Sequence, residues 1–174
     1  MELTEKTVKR NYIYHGKIVN LRCDDAELPD GKPCLREVVE HPGGASVLSV
    51  REGKVVLVRQ FRYAYGEELL ELPAGKLERG EDPMLAAKRE LEEEAGLKAQ
   101  ELKHLLTLYP SPGYSDEKIY LYEALGAEET SQHLDEDEFL NVVYLPVEEA
   151  IEKVRAGEIK DSKTIAGLLF YANR

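Results

Sequence analysis

Short runs in which apolar and β-branched residues mix with polar ones make up most of the chain and predict strands. Before residue 82 these runs cover residues 12–28, 34–42, 44–50, 55–65 and 67–75, with turn sequences such as PDGKP between them. After residue 97 the pattern continues in ELKHLLTLYP, EKIYLYEAL and FLNVVYLP. We expect hairpins that assemble into one mixed sheet.

The spacing of apolar residues becomes helical between residues 82 and 97. Asp82 is a good N-cap, Pro83 suits the first helical position, and Gly96 is a typical stop. The predicted apolar stripe of this helix consists of Leu85, Ala86, Leu91 and Ala95.

Two further helices are predicted at the end of the chain, over VEEAIEKVRAGE and DSKTIAGLLFYANR, the first ending at Ala156-Gly157. The order of strands, helix, strands and helices predicts an α+β fold, in which helices cover the faces of a mixed sheet as an α/β/α sandwich. Residues 1–40 are expected to form an N-terminal antiparallel β element, and residues 41–174 the main domain.

Composition narrows the range of possible binding partners and cellular locations. Lys and Arg number 23 against 34 Asp and Glu, a net charge of −11, which argues against duplex DNA or an anionic membrane as a partner. The apolar runs are too short to span a bilayer, and the N-terminal residues do not form a secretory signal. Cys23 and Cys34 lack the spacing of a zinc site. We expect a cytoplasmic protein with reduced cysteines.

An unusual concentration of carboxylates lies on the predicted central helix. Glu90 and Glu94 are four residues apart on one face, with Glu93 beside them, and like charges at this spacing destabilise a helix. A solvated face, partly neutralised by Lys88 and Arg89, is one interpretation. A site for divalent cations is the other.

The loop before the helix favours a metal site. Gly75 would let the backbone approach the helix closely and leave the Ala74 carbonyl free to point at the same spot as the carboxylates. Carboxylate and carbonyl oxygens suit Mg²⁺ or Mn²⁺, and such an open site would accept phosphate oxygens.

The complete spacing of this passage is more specific than its parts. It consists of Gly75, then Glu81 after five residues, Arg89-Glu90 after seven more, Leu91, Glu93-Glu94, and Gly96-Leu97, and it resembles the Nudix box at every defined position. Members of the Nudix family cleave nucleoside diphosphates linked to another moiety.

The resemblance implies a Nudix-type fold and a role for each residue of the box. Glu90 and Glu94 would bind metal, Glu93 would assist both binding and catalysis, and Ala74 would contribute its backbone. The cofactor would be Mg²⁺ or Mn²⁺, two or three ions per site. We interpret Glu81 and Arg89 as an ion pair that ties the loop to the helix. Residues outside the pattern, namely Glu78, Lys88 and Glu92, are expected to be solvated.

The loop SPGYSDE indicates a substrate within the family. Pro112 follows Gly96 by sixteen residues, a spacing similar to that of the ADP-ribose pyrophosphatase branch, although Ser-Pro-Gly is also ordinary turn chemistry. The resemblance implies hydrolysis of ADP-ribose to AMP and ribose 5-phosphate. Another nucleotide sugar such as GDP-mannose, a dinucleotide, and a nucleotide-sensing module without catalysis stay open as alternatives.

The same resemblance suggests residues that bind the small-molecule nucleotide: Arg36, Glu37, His41, Arg62, Ser111, Pro112, Gly113 and Glu117. An arginine suits this task because its planar guanidinium bridges diphosphate oxygens or stacks on adenine. Arg59 competes with Arg62, and alternation along the strand puts the two on different faces. The strand register decides between them.

The acidic segment DEDEFLNVVYLP is similar to a loop that supplies the catalytic base in this branch. We assign Glu136 as the base and Glu138 as a metal contact, with their order open. The resemblance also implies a homodimer in which N-terminal strands exchange between subunits, with Tyr12 and Tyr14 as candidate platforms for adenine or as packing residues.

Overall fold

The computed structural model describes residues 2–136 and 138–174, which form thirteen strands and three helices. In chain order the elements are β1 (Lys6–Lys9), β2 (Tyr12–His15), β3 (Asn20–Glu27), β4 (Pro33–Glu40), β5 (Gly44–Arg51), β6 (Lys54–Arg62), β7 (Glu67–Glu71), β8 (Ala74–Lys76), α1 (Pro83–Ala95), β9 (Leu97–Lys98), β10 (Glu101–Leu108), β11 (Ile119–Leu125), β12 (Glu128–Glu129), β13 (Leu140–Pro146), α2 (Val147–Arg155) and α3 (Ser162–Ala172). They fall into two compact units. The N-terminal unit runs to Gly43 and includes Tyr109–Lys118, and the main unit holds Gly44–Leu108 and Ile119–Arg174.

The N-terminal unit is an antiparallel sheet built around β3. Strands β1 and β2 pair with β3 at Lys6↔Glu27 and Tyr12↔Arg22, and β4 also pairs with β3. The segment Tyr109–Lys118 joins this unit through Val39, whose N–H donates to the Tyr114 carbonyl at 2.7 Å.

The main unit contains a seven-stranded mixed sheet in which β11 pairs in parallel with β5 and the other pairs are antiparallel. Alternate residues along its strands enter two separate cores. Val47 and Val56 pack with α1, whereas Leu48 and Leu57 pack in the core that contains residues of α2 and α3. This confirms the predicted α+β fold with helices on both faces of a mixed sheet.

Helix α1 has the predicted ends. The Asp82 carboxylate accepts from the N–H groups of Met84 and Leu85, Pro83 begins the helix, and Gly96 ends it in the left-handed conformation at φ 61°. The predicted stripe was wrong at Leu85, which is 60% exposed. Ala87 takes the buried position, because the face that contacts β5 passes through residues 86, 87, 90, 91, 94 and 95.

Several strand boundaries differ from the sequence predictions. The predicted strand 55–65 ends at Arg62, where the Arg62 carbonyl accepts from the N–H groups of Tyr65 and Gly66 and closes a turn. The predicted strand 67–75 is divided into β7 and β8, since Leu72 and Pro73 make their hydrogen bonds outside the β6 ladder. Strand β1 and the short strands β9 and β12 were not predicted.

The helices at the end of the chain are present as predicted. Helix α2 ends at its C-cap Ala156, and α3 begins after its N-cap Asp161, whose carboxylate accepts from the Thr164 N–H at 2.9 Å. No helix in the described ranges is both long and apolar enough to cross a membrane.

The burial of α1 predicts a large difference between two leucines of this helix. Leu91 is fully buried in the core beneath α1, and Leu91→Ala should lower the free energy of unfolding by about 3 kcal/mol. Leu85→Ala, on the exposed side, should change it by less than about 0.5 kcal/mol. Urea unfolding of both variants measures the difference, and equal losses would contradict the packing described.

Candidate active site

The carboxylates of Glu90 and Glu94 lie on the buried face of α1. These residues are 6% and 3% exposed, while Glu93 is half-buried at the edge of the same face. Helical spacing brings the first two together, and the packing of α1 keeps them out of solvent. The solvated interpretation of these two glutamates is therefore wrong.

The loop at β8 approaches these carboxylates closely. A Cβ atom added to Gly75 would overlap the Glu90 carboxylate, so only glycine leaves room for this contact. The Ala74 N–H donates to Glu94 Oε2 at 2.8 Å. The predicted close approach at Gly75 is confirmed, and the backbone group that contacts a carboxylate is the Ala74 amide.

Arg89 connects four groups around the site. Its Nη1 donates to Glu90 Oε1 at 2.7 Å and to Glu93 Oε2 at 2.9 Å. Its Nε and Nη2 donate to the two oxygens of Glu81 at 3.1 and 3.2 Å, and Nη2 also reaches the Lys76 carbonyl at 3.4 Å. The structure contains the predicted Glu81–Arg89 ion pair.

Burial controls the protonation of the two inner carboxylates. Burial raises the pKa of Glu90 to about 7, against the opposing effect of Arg89. It raises the pKa of Glu94 to about 8, although the Ala74 N–H lowers it. The positive charge within the site is therefore too small to keep both buried carboxylates ionised at neutral pH.

This donor set fits a divalent cation. Buried carboxylates with incompletely compensated charge, next to backbone that glycine brings close, provide hard oxygen ligands for Mg²⁺ or Mn²⁺. Among the described residues no three acidic, His or Cys side chains converge on one point. In the structure Arg89 donates to Glu90 and Glu93, and the Ala74 amide donates to Glu94.

The segment between β12 and β13, which contains the acidic loop, begins with residues that contact the C-terminal end of α1. The Thr130 and His133 N–H groups donate to the carbonyls of Gly96 and Glu93 at 2.8 and 3.0 Å, and Gln132 Nε2 donates to the Glu94 carbonyl at 2.6 Å. These bonds satisfy carbonyls at the end of the helix.

The two predicted loop carboxylates have different surroundings. Glu138 is half-buried, and its negative charge raises the pKa of both Glu90 and Glu94. Glu136 is exposed, and Asp137 lies outside the described residues. Of the two predicted loop carboxylates, Glu138 is therefore the one whose charge acts on Glu90 and Glu94.

Strand register separates the two candidate arginines. Arg62 is on the face of β6 that carries Val56 towards α1, whereas Arg59 is on the opposite face with Leu57. Arg62 Nε and Nη2 donate to the two oxygens of Glu71 at 2.6 and 2.8 Å. Arg62, which lies on the face of β6 that packs against α1, is therefore the candidate arginine held in a bidentate ion pair.

The carboxylate of Glu71 belongs to a buried network that was not predicted. Lys163 of α3 donates to it at 2.5 Å and lies 3.0 Å from Asp161. The signal in the sequence was a glutamate inside the otherwise apolar run LLELP, together with a lysine between the capping residues of DSKT.

The other predicted substrate residues are in the N-terminal unit. Arg36 makes a bidentate ion pair with Glu5 at 2.6 and 2.8 Å, and Glu37 is exposed. His41 Nδ1 is 3.5 Å from Glu117 Oε1. The Ser111 carbonyl accepts from Tyr114 and Ser115 and closes the predicted turn, on which Pro112 and Gly113 are exposed.

Comparison with known proteins yields two family models. The model described as NUDIX domain matches residues 40–167, and the model described as nucleoside diphosphate sugar hydrolase N-terminal domain matches residues 5–39.

Individual relatives cover most of the chain. An ADP-ribose pyrophosphatase of Bacillus subtilis is 45% identical over 93% of this chain and 89% of its own. A methanol dehydrogenase activator of Bacillus methanolicus is 43% identical over 95% of this chain and 91% of its own. A solved structure of an ADP compounds hydrolase has a TM-score of 0.86 over 99% of this chain and 95% of that one, at 20% identity, which establishes the fold.

The contact between Gly75 and Glu90 predicts a specific rescue. Gly75→Ala should lower the melting temperature by several degrees, because its methyl group would displace the Glu90 carboxylate. Adding Glu90→Ala should remove that loss, since the methyl group then has space. Thermal melts of the single and double variants measure this. An equal effect of Gly75→Ala in both backgrounds would contradict the contact.

The raised pKa values predict how pH affects the metal-free protein. Glu90 and Glu94 bind protons more tightly when folded, with pKa values of about 7 and 8 against 4.5 for an ordinary glutamate. The folded state therefore retains more protons between pH 5 and 8, and stability falls as pH rises through this range. In EDTA the two pKa values imply a loss of roughly 6 kcal/mol over this range, measured by urea unfolding.

Two comparisons test the origin of this pH effect. Glu94→Gln should make the profile less steep, because the amide does not ionise and only Glu90 then contributes. Excess Mg²⁺ should restore stability at pH 8, where its carboxylate ligands are ionised. A wild-type profile that rises between pH 5 and 8 in EDTA would contradict the assignment.

Proposed function

The chain belongs to the Nudix family, and from this premise we propose that it hydrolyses ADP-ribose to AMP and ribose 5-phosphate. The observation that carries the proposal is the pair of buried carboxylates, Glu90 and Glu94, against the backbone of Ala74 and Gly75. Such a site needs cations to offset its charge, and bound cations recognise a diphosphate. The 45% identical relative named ADP-ribose pyrophosphatase supports the choice of substrate.

We propose Glu90, Glu93, Glu94 and the Ala74 carbonyl as ligands of two or three Mg²⁺ or Mn²⁺ ions, with Glu138 as a further contact. When bound, these ions offset the charge of the diphosphate and lower the pKa of the attacking water. Gly75 leaves the space that the Glu90 carboxylate occupies, and Arg89 and the Ala74 amide contact the three carboxylates in the structure.

A carboxylate of the loop before β13 completes the proposed reaction. It accepts a proton from the water that attacks phosphorus, and the bond between that phosphorus and the bridging oxygen breaks, which leaves two monophosphates. Glu136 and Glu138 are the candidates for the base. The half-buried position of Glu138 and its charge on Glu90 and Glu94 favour Glu138.

Arg62 is the proposed diphosphate contact on the main unit. Its Nε and Nη2 are committed to Glu71, which leaves Nη1 for a phosphate oxygen. In the N-terminal unit, residues 1–40 would form the dimerisation element. The residues proposed there to bind nucleotide are Arg36, Glu37, His41, Ser111, Pro112, Gly113 and Glu117.

A second candidate function is activation of a dehydrogenase. One observation favours it: the relative named methanol dehydrogenase activator is nearly as similar to this chain as the pyrophosphatase. The rate of methanol oxidation by a methanol dehydrogenase, measured with and without this protein, tests this candidate.

Activity assays test the leading proposal directly. Purified protein with Mg²⁺ should release AMP from ADP-ribose with a higher kcat/KM than it shows for GDP-mannose or a dinucleotide. Glu93→Gln and Glu94→Gln should each lower kcat by at least about a hundredfold while the far-UV circular dichroism stays unchanged. Full activity in either variant would rule out the assigned site.

The same assay distinguishes the candidate bases. Replacement of the base by glutamine should lower kcat by about a hundredfold or more, and replacement of the other loop carboxylate should have a much smaller effect. We expect the larger loss for Glu138→Gln, and a larger loss for Glu136→Gln would assign that residue instead.

A homodimer is proposed from the apolar surface of the N-terminal unit. Its exposed apolar residues include Leu3, Val8, Ile13, Ile18 and Leu35, and both β1 and β2 are exposed throughout. Sedimentation at micromolar concentration should give twice the chain mass, and Ile13→Lys should shift the protein towards monomer. A wild-type monomer would exclude exchanged N-terminal strands under these conditions.

A further inference from the structure

The first turn of α3 makes a buried polar contact with the end of β7. Lys163 is only 6% exposed, and a lysine is rarely buried unless it has a charged partner. Its ammonium group donates to Glu71 at 2.5 Å and lies 3.0 Å from Asp161. Residues more than 90 positions apart in the chain thus share one charge network.

Glu71 is the centre of this network. It is 1% exposed and accepts from Arg62 through both oxygens as well as from Lys163. Burial alone would raise the pKa of Glu71, but the two cations hold it below its ordinary value. The carboxylate is therefore ionised, and three donors on its two oxygens restrict its rotation.

The same turn of α3 also holds the backbone that leads to the candidate metal site. Asp161 accepts from the Thr164 hydroxyl at 2.6 Å, and that hydroxyl oxygen accepts from the Leu72 N–H at 2.8 Å. Two residues later the Ala74 N–H donates to Glu94. The network thus contacts the chain two residues before Ala74, whose amide binds Glu94.

A contribution to stability alone does not explain why the buried cation is there. Buried ion networks replaced by apolar groups of similar volume often leave a protein equally stable or more stable. The geometry has a more specific consequence, because a carboxylate fixed by Lys163 presents both oxygens to the guanidinium of Arg62. The Arg62 plane is then fixed on the face of β6 that it shares with α1.

We propose that Lys163 is a positioning residue that acts through Glu71 to orient Arg62 towards the diphosphate of the substrate. This inference rests on the proposed hydrolytic function, in which Arg62 contacts the diphosphate. Lys163 itself does not contact the substrate. Its effect should therefore appear in substrate binding and should depend on the presence of Arg62.

Kinetics of matched lysine variants test the proposal. Lys163→Met removes the ammonium group and keeps the length of the side chain, and it should raise KM for ADP-ribose by about tenfold to a hundredfold with little change in kcat. Lys160→Met is the control, because Lys160 makes an exposed ion pair with Glu67, 2.7 Å long, between the same part of the chain and β7. It should leave KM unchanged.

A double-mutant cycle separates positioning from a general loss of structure. If Lys163 acts through Arg62, then Lys163→Met should have no further effect on KM in an Arg62→Ala background. If the two substitutions raise KM independently, so that their factors multiply in the double variant, the proposal is overturned. If Lys163→Met does not fold, Lys163→Gln replaces it, and unfolding of both variants would overturn the proposal in favour of a folding role.

A measurement without substrate distinguishes failure of this inference from failure of the proposed function. The Arg62 Nε–Hε resonance, assigned in wild type by its loss in Arg62→Ala, should shift and exchange faster with solvent in Lys163→Met but not in Lys160→Met. An unchanged resonance in Lys163→Met overturns the inference whatever the enzyme hydrolyses. A wild-type protein without activity on any nucleotide of the panel overturns the proposed function and leaves the spectral comparison valid.

Discussion

The structure depends on the burial of two carboxylates at the contact between α1 and the β8 loop. Removing a carboxylate from water is costly unless hydrogen bonds and positive charge compensate it. The chain supplies an amide from Ala74 to Glu94 and a guanidinium from Arg89 to Glu90. The raised pKa values show that this compensation is incomplete. A divalent cation would supply the rest, so the same burial that costs stability would favour metal binding.

The surrounding fold maintains this contact from two sides. One core holds α1 against β5 and β6 through small and aliphatic residues such as Ala86 and Leu91, and these bring the helix close to the sheet. On the other side, Thr164 of α3 binds the backbone of Leu72, and β5 accepts the loop through the Ser46 hydroxyl, which donates to the Pro73 carbonyl at 3.1 Å. Hydrogen bonds therefore hold the backbone at both Leu72 and Pro73, the two residues before Ala74.

The sequence was sufficient where local chemistry determines structure. The ends of α1 and the alternation of faces along β6 are encoded by short-range patterns, and the structure reproduces them. It was insufficient where tertiary contacts decide. Leu85 fits a helical stripe but faces solvent, because the face that meets the sheet also contains Ala87. The pairing of Glu71 with Lys163 joins residues 92 positions apart, and no local pattern specifies it.

Arg89 is the positively charged residue among the glutamates of the box, and its contacts indicate what it does there. Metal ions at the site would compete with this guanidinium for the oxygens of Glu90 and Glu93, which Arg89 Nη1 contacts in the structure. Glu81 binds Arg89 through two other nitrogen atoms, and this hydrogen bonding is the main cause of the raised pKa of Arg89. The Glu81 pair can therefore persist when the inner carboxylates change partners. Glu81 thereby holds the guanidinium beside Glu90 and Glu93, where it offsets part of their negative charge.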